Sequence, residues 1–330
     1  MVKKIILFGV NTGIGNVIMG EPLARKIKFN EPKSEITFVV SNNACKVVLE
    51  RNPAIDKIVV LPRGSGKIEN FFPLKGFKIL IGLRKEKFSE SYIIIPHGYY
   101  ANFCSKIVNS KKRVAHLMNK LDFFNTNLIK LKMQHDVLSN LNLIGVKKIF
   151  SPKIYLKNKR KKTKKLIGIH PGCDKNSPYK RWPLENFISL SSQLINKGYA
   201  VKFFLGPDEK EFLDKIKKMN SKKVTISMEP LRKTLDSISK CNYFISNDSG
   251  LMHIAEALGL NVLGLFAPTN YKRTGLISHK AINLTPKKYN PWANDLICSK
   301  NQVPNSKKSF ITDLSVSEVK KSFFRLVSLK

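Results

Sequence analysis

From one end of the chain to the other, short apolar runs alternate with segments whose apolar positions recur at helical spacing. Lys4–Val10 reads as a buried strand, followed by a Gly-rich turn and a helix carrying Val17, Ile18, Leu23, Ala24 and Ile27. Further strands are expected near Ile36–Val40, Lys57–Leu61, Lys78–Ile81 and Tyr92–Ile95. The run Lys157–Lys165 breaks the pattern with a solvated stretch of charge that suits a linker. After it the alternation restarts. Leu166–His170 and Tyr199–Leu205 read as strands around a helix over Leu184–Asn196, whose Phe187, Leu190 and Leu194 share one face. Asp208–Met219 reads as a helix with Phe212, Leu213 and Ile216 inward, then Val224–Ser227 as a strand and a helix through Leu231, Leu235 and Ile238. The strand Tyr243–Ser246, a helix from Ser249 to Leu258 stopped by Gly259, and the strand Val262–Phe266 follow. Two successive blocks of strand and helix imply two parallel-sheet α/β domains, which bind ligands outside the carboxyl ends of their strands.

The composition is that of a globular protein: 330 residues, 42% hydrophobic and 25% charged, which excludes disordered, collagen-like and fibrous chains. The charge changes the picture. With 59 Lys+Arg against 23 Asp+Glu the net charge is +36, a field that favours nucleic acid, an acidic membrane surface or phosphorylated small molecules. A coding bias toward Lys, Asn, Ile and Phe accounts for the same excess, and the lysines are scattered rather than striped. Cys45, Cys104, Cys173, Cys241 and Cys298 form no Cys-x-x-Cys pair, so neither a zinc site nor a disulfide framework is expected. The apolar run Ile5–Val10 is short for a signal-peptide core, and no apolar stretch is long enough to span a bilayer. A cytoplasmic protein is expected.

Four segments carry chemistry. The turn Gly9-Val10-Asn11-Thr12-Gly13-Ile14-Gly15-Asn16 follows a strand and opens a helix, yet lacks both the third Gly of a dinucleotide fingerprint and the Lys-Ser/Thr of a P-loop. It suits a tight turn that admits a substrate closely. In Ser246-Asn247-Asp248-Ser249-Gly250-Leu251-Met252-His253 a strand ends and a helix begins, with Asn247–Ser249 offering capping oxygens. Gly250 lets a phosphate approach the first amides of that helix, His253 stands one turn on, and Asp248 can accept from sugar hydroxyls. The same segment also reads as an ordinary cap with a surface His. His170-Pro171-Gly172-Cys173-Asp174 begins a loop that closes with Lys180-Arg181-Trp182-Pro183, where a basic pair beside an aromatic ring suits a diphosphate leaving group. Gly206-Pro207-Asp208-Glu209 places Glu209 either near a ribose or simply at a helix start, where acids are favourable. Three loops at three strand ends of one sheet support a nucleotide-sugar site better together than singly.

These motifs resemble the donor-site signature of glycosyltransferase family 9, the ADP-heptose:lipopolysaccharide heptosyltransferases and their relatives. The resemblance rests on Asn247–His253, Ala257-Leu258-Gly259 and Leu265-Phe266-Ala267-Pro268-Thr269, and on His170-Pro171-Gly172 with Lys180-Arg181-Trp182-Pro183. It extends to Gly13-Ile14-Gly15-Asn16-Val17-Ile18 with Pro22-Leu23 and to Ile311–Val319, and so spans almost the whole chain. It implies a GT-B fold, two facing Rossmann-like domains with parallel sheets and an interdomain cleft. An acceptor-side domain would occupy residues 1–156 and a nucleotide-sugar domain residues 166–309, joined by the basic linker 157–165. A helix within 310–330 would pack back toward the N-terminal domain. Cys173, Asp174, Lys180, Glu209, Asp248, Ser249, Gly250 and His253 would bind the donor, with Lys180 also neutralising the departing diphosphate. Gly13, Gly15 and Asn16 would bind the acceptor.

The implied reaction is inverting, metal-independent transfer of a sugar from a nucleotide-sugar, with ADP-heptose favoured, to a lipopolysaccharide-type or other surface glycan. No cofactor is implied. The expected partners are the donor, a lipid-linked acceptor and an anionic membrane surface, the enzyme sitting peripherally on the cytoplasmic face of the inner membrane. A nucleic-acid partner would require basic, aromatic-interleaved patches or a recognisable module, and the sequence shows none. Two departures from the family pattern matter. Asn16 stands where the family carries an Asp base, and an amide cannot take a proton as a base. His97 and Glu21 are the substitutes, His97 following a strand end where it can face the cleft; otherwise the chain is a catalytically impaired nucleotide-sugar-binding protein. Ala267 replaces a usual Gly, a small change. Of the cysteines that many relatives carry before the last helix only Cys298 remains, so a disulfide or metal role there does not carry over.

Overall fold

The computed structural model describes residues 2–10, 13–62, 74–157, 161–293 and 305–329. Asn11 and Thr12 of the first turn, residues 158–160 of the basic run, and Cys298 lie outside the described residues. The chain divides into two compact units, Met1–Tyr155 and Leu156–Lys330. At the end of the basic run, Thr163 N donates to Lys240 O at 2.8 Å, which ties that stretch to the second unit.

The first unit holds β1 (Lys4–Gly9), α1 (Ile14–Asn30), β2 (Glu35–Val40), α2 (Asn43–Leu49), β3 (Lys57–Val60), α3 (Leu74–Lys85), β4 (Glu90–Ile93), α4 (Tyr99–Val108), β5 (Lys112–Leu117), β6 (Asn127–Lys130) and α5 (Asp136–Asn142). Its six strands run in the order β3-β2-β1-β4-β5-β6, each pair parallel, with Ile5 opposite Ile36 on one side of β1 and Glu90 on the other. A sheet covered on both faces explains why β1 and β2 are near-continuous apolar runs rather than alternating ones. Ile6, Phe8, Val39, Ile93, Tyr100 and Ala115 form the centre of one core layer.

One expected strand is not there. Lys78–Ile81 lies within α3, whose buried residues Gly76, Leu80 and Leu83 recur at helical spacing. The run Ile79–Ile81 looks strand-like in isolation because its length is too short to reveal a period.

The second unit repeats the plan with β7 (Leu166–His170), α6 (Leu184–Asn196), β8 (Ala200–Phe204), α7 (Leu213–Lys217), β9 (Val224–Ser227), α8 (Leu231–Ser239), β10 (Tyr243–Asn247), α9 (Gly250–Ala257), β11 (Asn261–Leu265), α10 (Tyr271–Thr274), β12 (Ala281–Leu284) and α11 (Val316–Ser328). Its order is β12-β11-β10-β7-β8-β9, the same reversal about a central parallel pair. Helix α9 ends where Gly259 takes a φ of +78°, a left-handed conformation that a side chain would strain. The helix expected over Asp208–Met219 is split into a 3₁₀ turn, Pro207–Phe212, and α7. Glu209 sits at the break with non-helical φ and ψ, its carboxylate turned back onto the Gly206 amide at 2.7 Å.

The last helix, α11, is built into the core of the second unit. Val319, Phe323 and Leu326 are fully buried beside Tyr199 and Tyr243, and the Phe323 ring meets both tyrosines edge-on at 5.3 and 5.4 Å. Its start is fixed by Ser315 and Glu318, each side chain bonding the other's backbone amide.

On α9 a buried carboxylate anchors the approach to β12: Glu256 Oε1 accepts from Ile277 N at 2.6 Å and Ser278 N at 2.7 Å. Burial pushes the Glu256 carboxyl up to about 7, against the opposing pull of those two amides. The folded state therefore holds this proton more tightly than the unfolded one between about pH 4.5 and 7, and its contribution to stability is lost as pH rises through that window. Glu256→Gln keeps an acceptor oxygen and removes the titration. Denaturant midpoints should show wild type losing stability relative to this variant from pH 5 to pH 8, by roughly 2–3 kcal/mol. A difference that does not change with pH would contradict the assignment.

Candidate functional site

In each sheet the strand order reverses between two neighbouring parallel strands, whose following loops turn away to opposite faces and leave a crevice at the carboxyl ends. In the second unit these strands are β7 and β10. The loop after β7 runs from Pro171 to Pro183, and β10 passes directly into Asp248 and the start of α9. The fully buried Asn247 side chain binds these two connections together. Its Nδ2 donates to Pro171 O at 2.8 Å and Gly172 O at 3.4 Å, and its Oδ1 accepts from Trp182 N at 3.1 Å. Trp182 in turn donates its indole N–H to Leu314 O at 2.8 Å and packs edge-on against Phe187. The Ile311–Leu314 segment thereby closes the back of the loop.

With the loop so held, Lys180 Nζ lies 2.8 Å from Asp248 Oδ2 at the entrance to α9. Burial works against both charges, but the pairing outweighs it. The lysine stays above its ordinary range and the carboxyl below its own, with His253 adding to the stabilisation of the Asp248 anion. Ser249 caps α9, its Oγ accepting from Met252 N at 3.4 Å and lying 3.0 Å from Ser246 Oγ. Gly250 is the first residue of the helix, and His253 is a buried residue of its next turn rather than a surface His. Lys180, Asp248, Ser249, Gly250 and His253 are thus brought together.

Glu209 stands behind this cluster. It is almost fully buried, and Gly172 makes room for it: a Cβ on Gly172 would lie 2.2 Å from Glu209 Oε1. Arg181 approaches the same oxygen at 3.6 Å and donates to Cys173 O at 3.5 Å. Nearby, His170 Nδ1 donates to Phe204 O at 2.8 Å, and burial pushes its pKa down, so the ring is held neutral. Cys173 and Asp174 serve the loop itself. The thiol donates to Ser177 O at 3.1 Å, and the exposed Asp174 accepts from Asn176 N at 2.8 Å.

In the first unit the reversal lies between β1 and β4. The described end of the Gly-rich turn, with exposed Gly13 as N-cap and half-buried Gly15 and Asn16 in the first turn of α1, sits at one carboxyl end. His97 sits at the other. Both expected substitute bases are buried. Glu21 is 1% exposed and fully engaged, accepting from Arg25 Nε at 3.1 Å, Asn52 Nδ2 at 3.0 Å and Lys153 N at 3.0 Å. The His97 side chain has no exposure and pairs through Nε2 with Asp122 Oδ1 at 3.0 Å. The same carboxylate accepts from Asn102 Nδ2 at 2.7 Å and Asn119 N at 2.5 Å, and also from Met118 N. Those bonds outweigh burial and keep the Asp122 carboxyl below its ordinary range.

Residues 147–303 match the model of glycosyltransferase family 9, the heptosyltransferases, and this span takes in every loop of the second-unit cluster. Over that span the chain is similar to glycosyltransferase family 9. It is 26% identical over 299 residues to lipooligosaccharide heptosyltransferase 2 of Haemophilus influenzae, covering 81% of this chain and 84% of that one. Among solved structures it superposes on the family 9 glycosyltransferase of Veillonella parvula with a TM-score of 0.81 at 22% identity, covering 98% and 97% of the two chains. For E. coli ADP-heptose LPS heptosyltransferase II the TM-score is 0.75 at 19% identity, with 98% of each chain covered. The fold is that of the GT-B glycosyltransferases, and the chain is a glycosyltransferase.

Two residues, one in each unit, escape a reading of the sequence alone. Asn247 looks like a capping residue beside Asp248, and only the neighbouring strand reveals that it ties two loops. Asp122 sits in an unremarkable Leu-Asp-Phe-Phe segment, with no local signal of its tie to His97. Asn247→Ala would strand the Trp182 amide and the Pro171 carbonyl inside the protein. It should cost roughly 1–3 kcal/mol of stability in a denaturant titration. The Trp182 fluorescence should change as the loop loosens, and an unaltered spectrum with wild-type stability would show that the tie is not needed.

Proposed function

We propose that this glycosyltransferase transfers heptose from ADP-heptose to a lipopolysaccharide-type acceptor, with inversion and without a metal ion. The observation that carries the reading is the Lys180–Asp248 pair at the N-terminus of α9. A diphosphate placed on the first amides of α9 meets the positive end of the helix and the Lys180 ammonium, so charge leaving with the nucleotide is neutralised by the protein's own groups. Asp248, which would repel a phosphate, is positioned to accept from sugar hydroxyls, and Ser249, Gly250 and His253 complete that wall. Glu209, set back behind Gly172 and Arg181, is the acceptor for a ribose hydroxyl, while Cys173 and Asp174 shape the loop. The relatives' names supply the sugar and acceptor: one is a lipooligosaccharide heptosyltransferase and another an ADP-heptose LPS heptosyltransferase. Among the described residues no helix is long and apolar enough to cross a membrane, so a lipid-linked acceptor would be met at the bilayer surface.

In this reading Gly13, Gly15 and Asn16 hold the acceptor. Its hydroxyl attacks the anomeric carbon on the face opposite the departing ADP and loses its proton. Asn16 orients that hydroxyl by hydrogen bonding and cannot take the proton; Glu21 and His97 are closed off, so the proton passes to water. A positioned base is worth about 10²–10⁴-fold in rate. Asn16→Asp is therefore expected to raise turnover, with a new acidic limb in its pH–rate profile. Mass-spectrometric detection of heptose added to a truncated lipopolysaccharide, with and without a chelator, tests the reaction itself. Lys180→Ala should lower kcat by about 10²-fold with folding intact, and Asp248→Ala should cost about 1.5–3 kcal/mol in donor binding or turnover. Tight ADP-heptose binding with no transfer by wild type would instead establish the impaired, binding-only reading that Asn16 favours.

A further inference from the structure

The solvent face of α4 is apolar where a surface helix is normally polar. Its inward face carries Tyr100, Ala101, Cys104 and Val108, while Tyr99, Phe103 and Lys106 recur at i, i+4 and i+7 on the outside. Tyr99 is 52% and Phe103 41% exposed. The 3₁₀ turn Lys120–Phe124, which packs beside α4, adds Phe123, 66% exposed. The rings join into one surface: Phe103 meets Phe124 edge-on at 6.2 Å, Phe124 meets Phe123 at 4.6 Å, and Lys106 lies over the Phe124 ring at 5.9 Å.

This surface is held in place from beneath. Asp122, between Leu121 and the two phenylalanines, sends its carboxylate inward to His97 and Asn102 and to the amides of Met118 and Asn119. Asn125, on the other side, donates to Asn102 Oδ1 at 2.7 Å and accepts from Ser105 Oγ at 3.0 Å. The turn that displays Phe123 is therefore bolted to α4 by a buried polar network, so little ordering is needed when the rings meet a partner.

The charge around the rings is of one sign. From Ser91 to His135 the chain carries seven Lys and Arg residues and one acid, Asp122, which is buried. Exposed rings in a stretch whose one carboxylate, Asp122, is buried match a bilayer interface that carries anionic headgroups. The rings enter the headgroup boundary, and each lysine near the surface adds attraction. Single-stranded nucleic acid fits less well, because stacking needs free ring faces and these rings are interlocked edge to face. The patch lies on α4, which begins at the carboxyl end of β4, beside the strand that leads to Gly13 and Asn16.

We infer that Tyr99, Phe103, Phe123 and Phe124, with Lys106 and Lys120, form the surface by which this protein docks on anionic phospholipid. The inference deepens the lipid-linked acceptor reading above, but its test needs neither donor nor acceptor. The test is co-sedimentation of the full chain with phosphatidylcholine vesicles, with and without phosphatidylglycerol, at low and high salt. Wild type should bind the phosphatidylglycerol vesicles and release as salt rises. Phe103→Ser with Phe123→Ser, and separately Lys106→Glu with Lys120→Glu, should each weaken binding by roughly tenfold or more while melting as wild type does. Lys222→Glu with Lys223→Glu, an equal charge change on an exposed stretch of the second unit, should bind as wild type. The inference is overturned if wild type ignores anionic vesicles, if the control pair loses as much binding as the patch variants, or if both patch variants bind normally. It is overturned equally if the patch variants lose binding to single-stranded RNA while keeping vesicle binding.

Discussion

A parallel sheet whose strand order reverses has one place on its carboxyl edge where two adjacent connections part to opposite faces, and the candidate site residues of this chain lie near two such places. In the second unit the consequence is concrete. The loops after β7 and β10 leave side by side, so one buried amide, Asn247, can bond both. Without that tie, Lys180 and Asp248, 68 residues apart in sequence, would have no reason to meet.

Three buried carboxylates follow a common rule: each is met by an opposite charge or by several donors. Asp248 has Lys180, Glu209 has Arg181 and the Gly206 amide, and Asp122 has His97, Asn102 and two amides. Removing a charge from water is expensive unless its hydrogen-bonding capacity is filled. This accounts for the contrast between the carboxylates. Those engaged on several sides serve as struts, as Glu21 does between α1, Asn52 and Lys153. Asp248 shares an ion pair at a helix entrance, where an incoming ligand can rearrange it.

Sequestering Glu21 and His97 gives the Asn16 position its interest. An amide at that position can orient a group by hydrogen bonding without proton affinity, and the Glu21 and His97 side chains are buried. The His97–Asp122 pair, attractive as a base and its orienting carboxylate, instead joins α4 to the 3₁₀ turn that bears the exposed phenylalanines. One buried network thus supports the aromatic surface on α4 and the 3₁₀ turn.

Much was determined by the sequence itself. Period and run length marked out most of the strands and helices, because an apolar run between turn residues is a local property. The signature Asn247–His253 with Lys180–Pro183 identified the family, since helix starts and phosphate-accommodating glycines are also written in contiguous residues. Other features were decided only by tertiary structure. The helical state of Lys78–Ile81 depends on which neighbours bury Leu80 and Leu83, and the place of α11 depends on an aromatic cluster drawn from Tyr199, Tyr243 and Phe323. Whether a polar side chain works as a ligand or as a strut depends on what lies across from it after folding. His97 looked like a candidate base after a strand end, Asn247 like a cap and Asp122 like nothing in particular. Hydrogen bonds between residues far apart in sequence gave each its role, and a linear pattern contains no record of those distances.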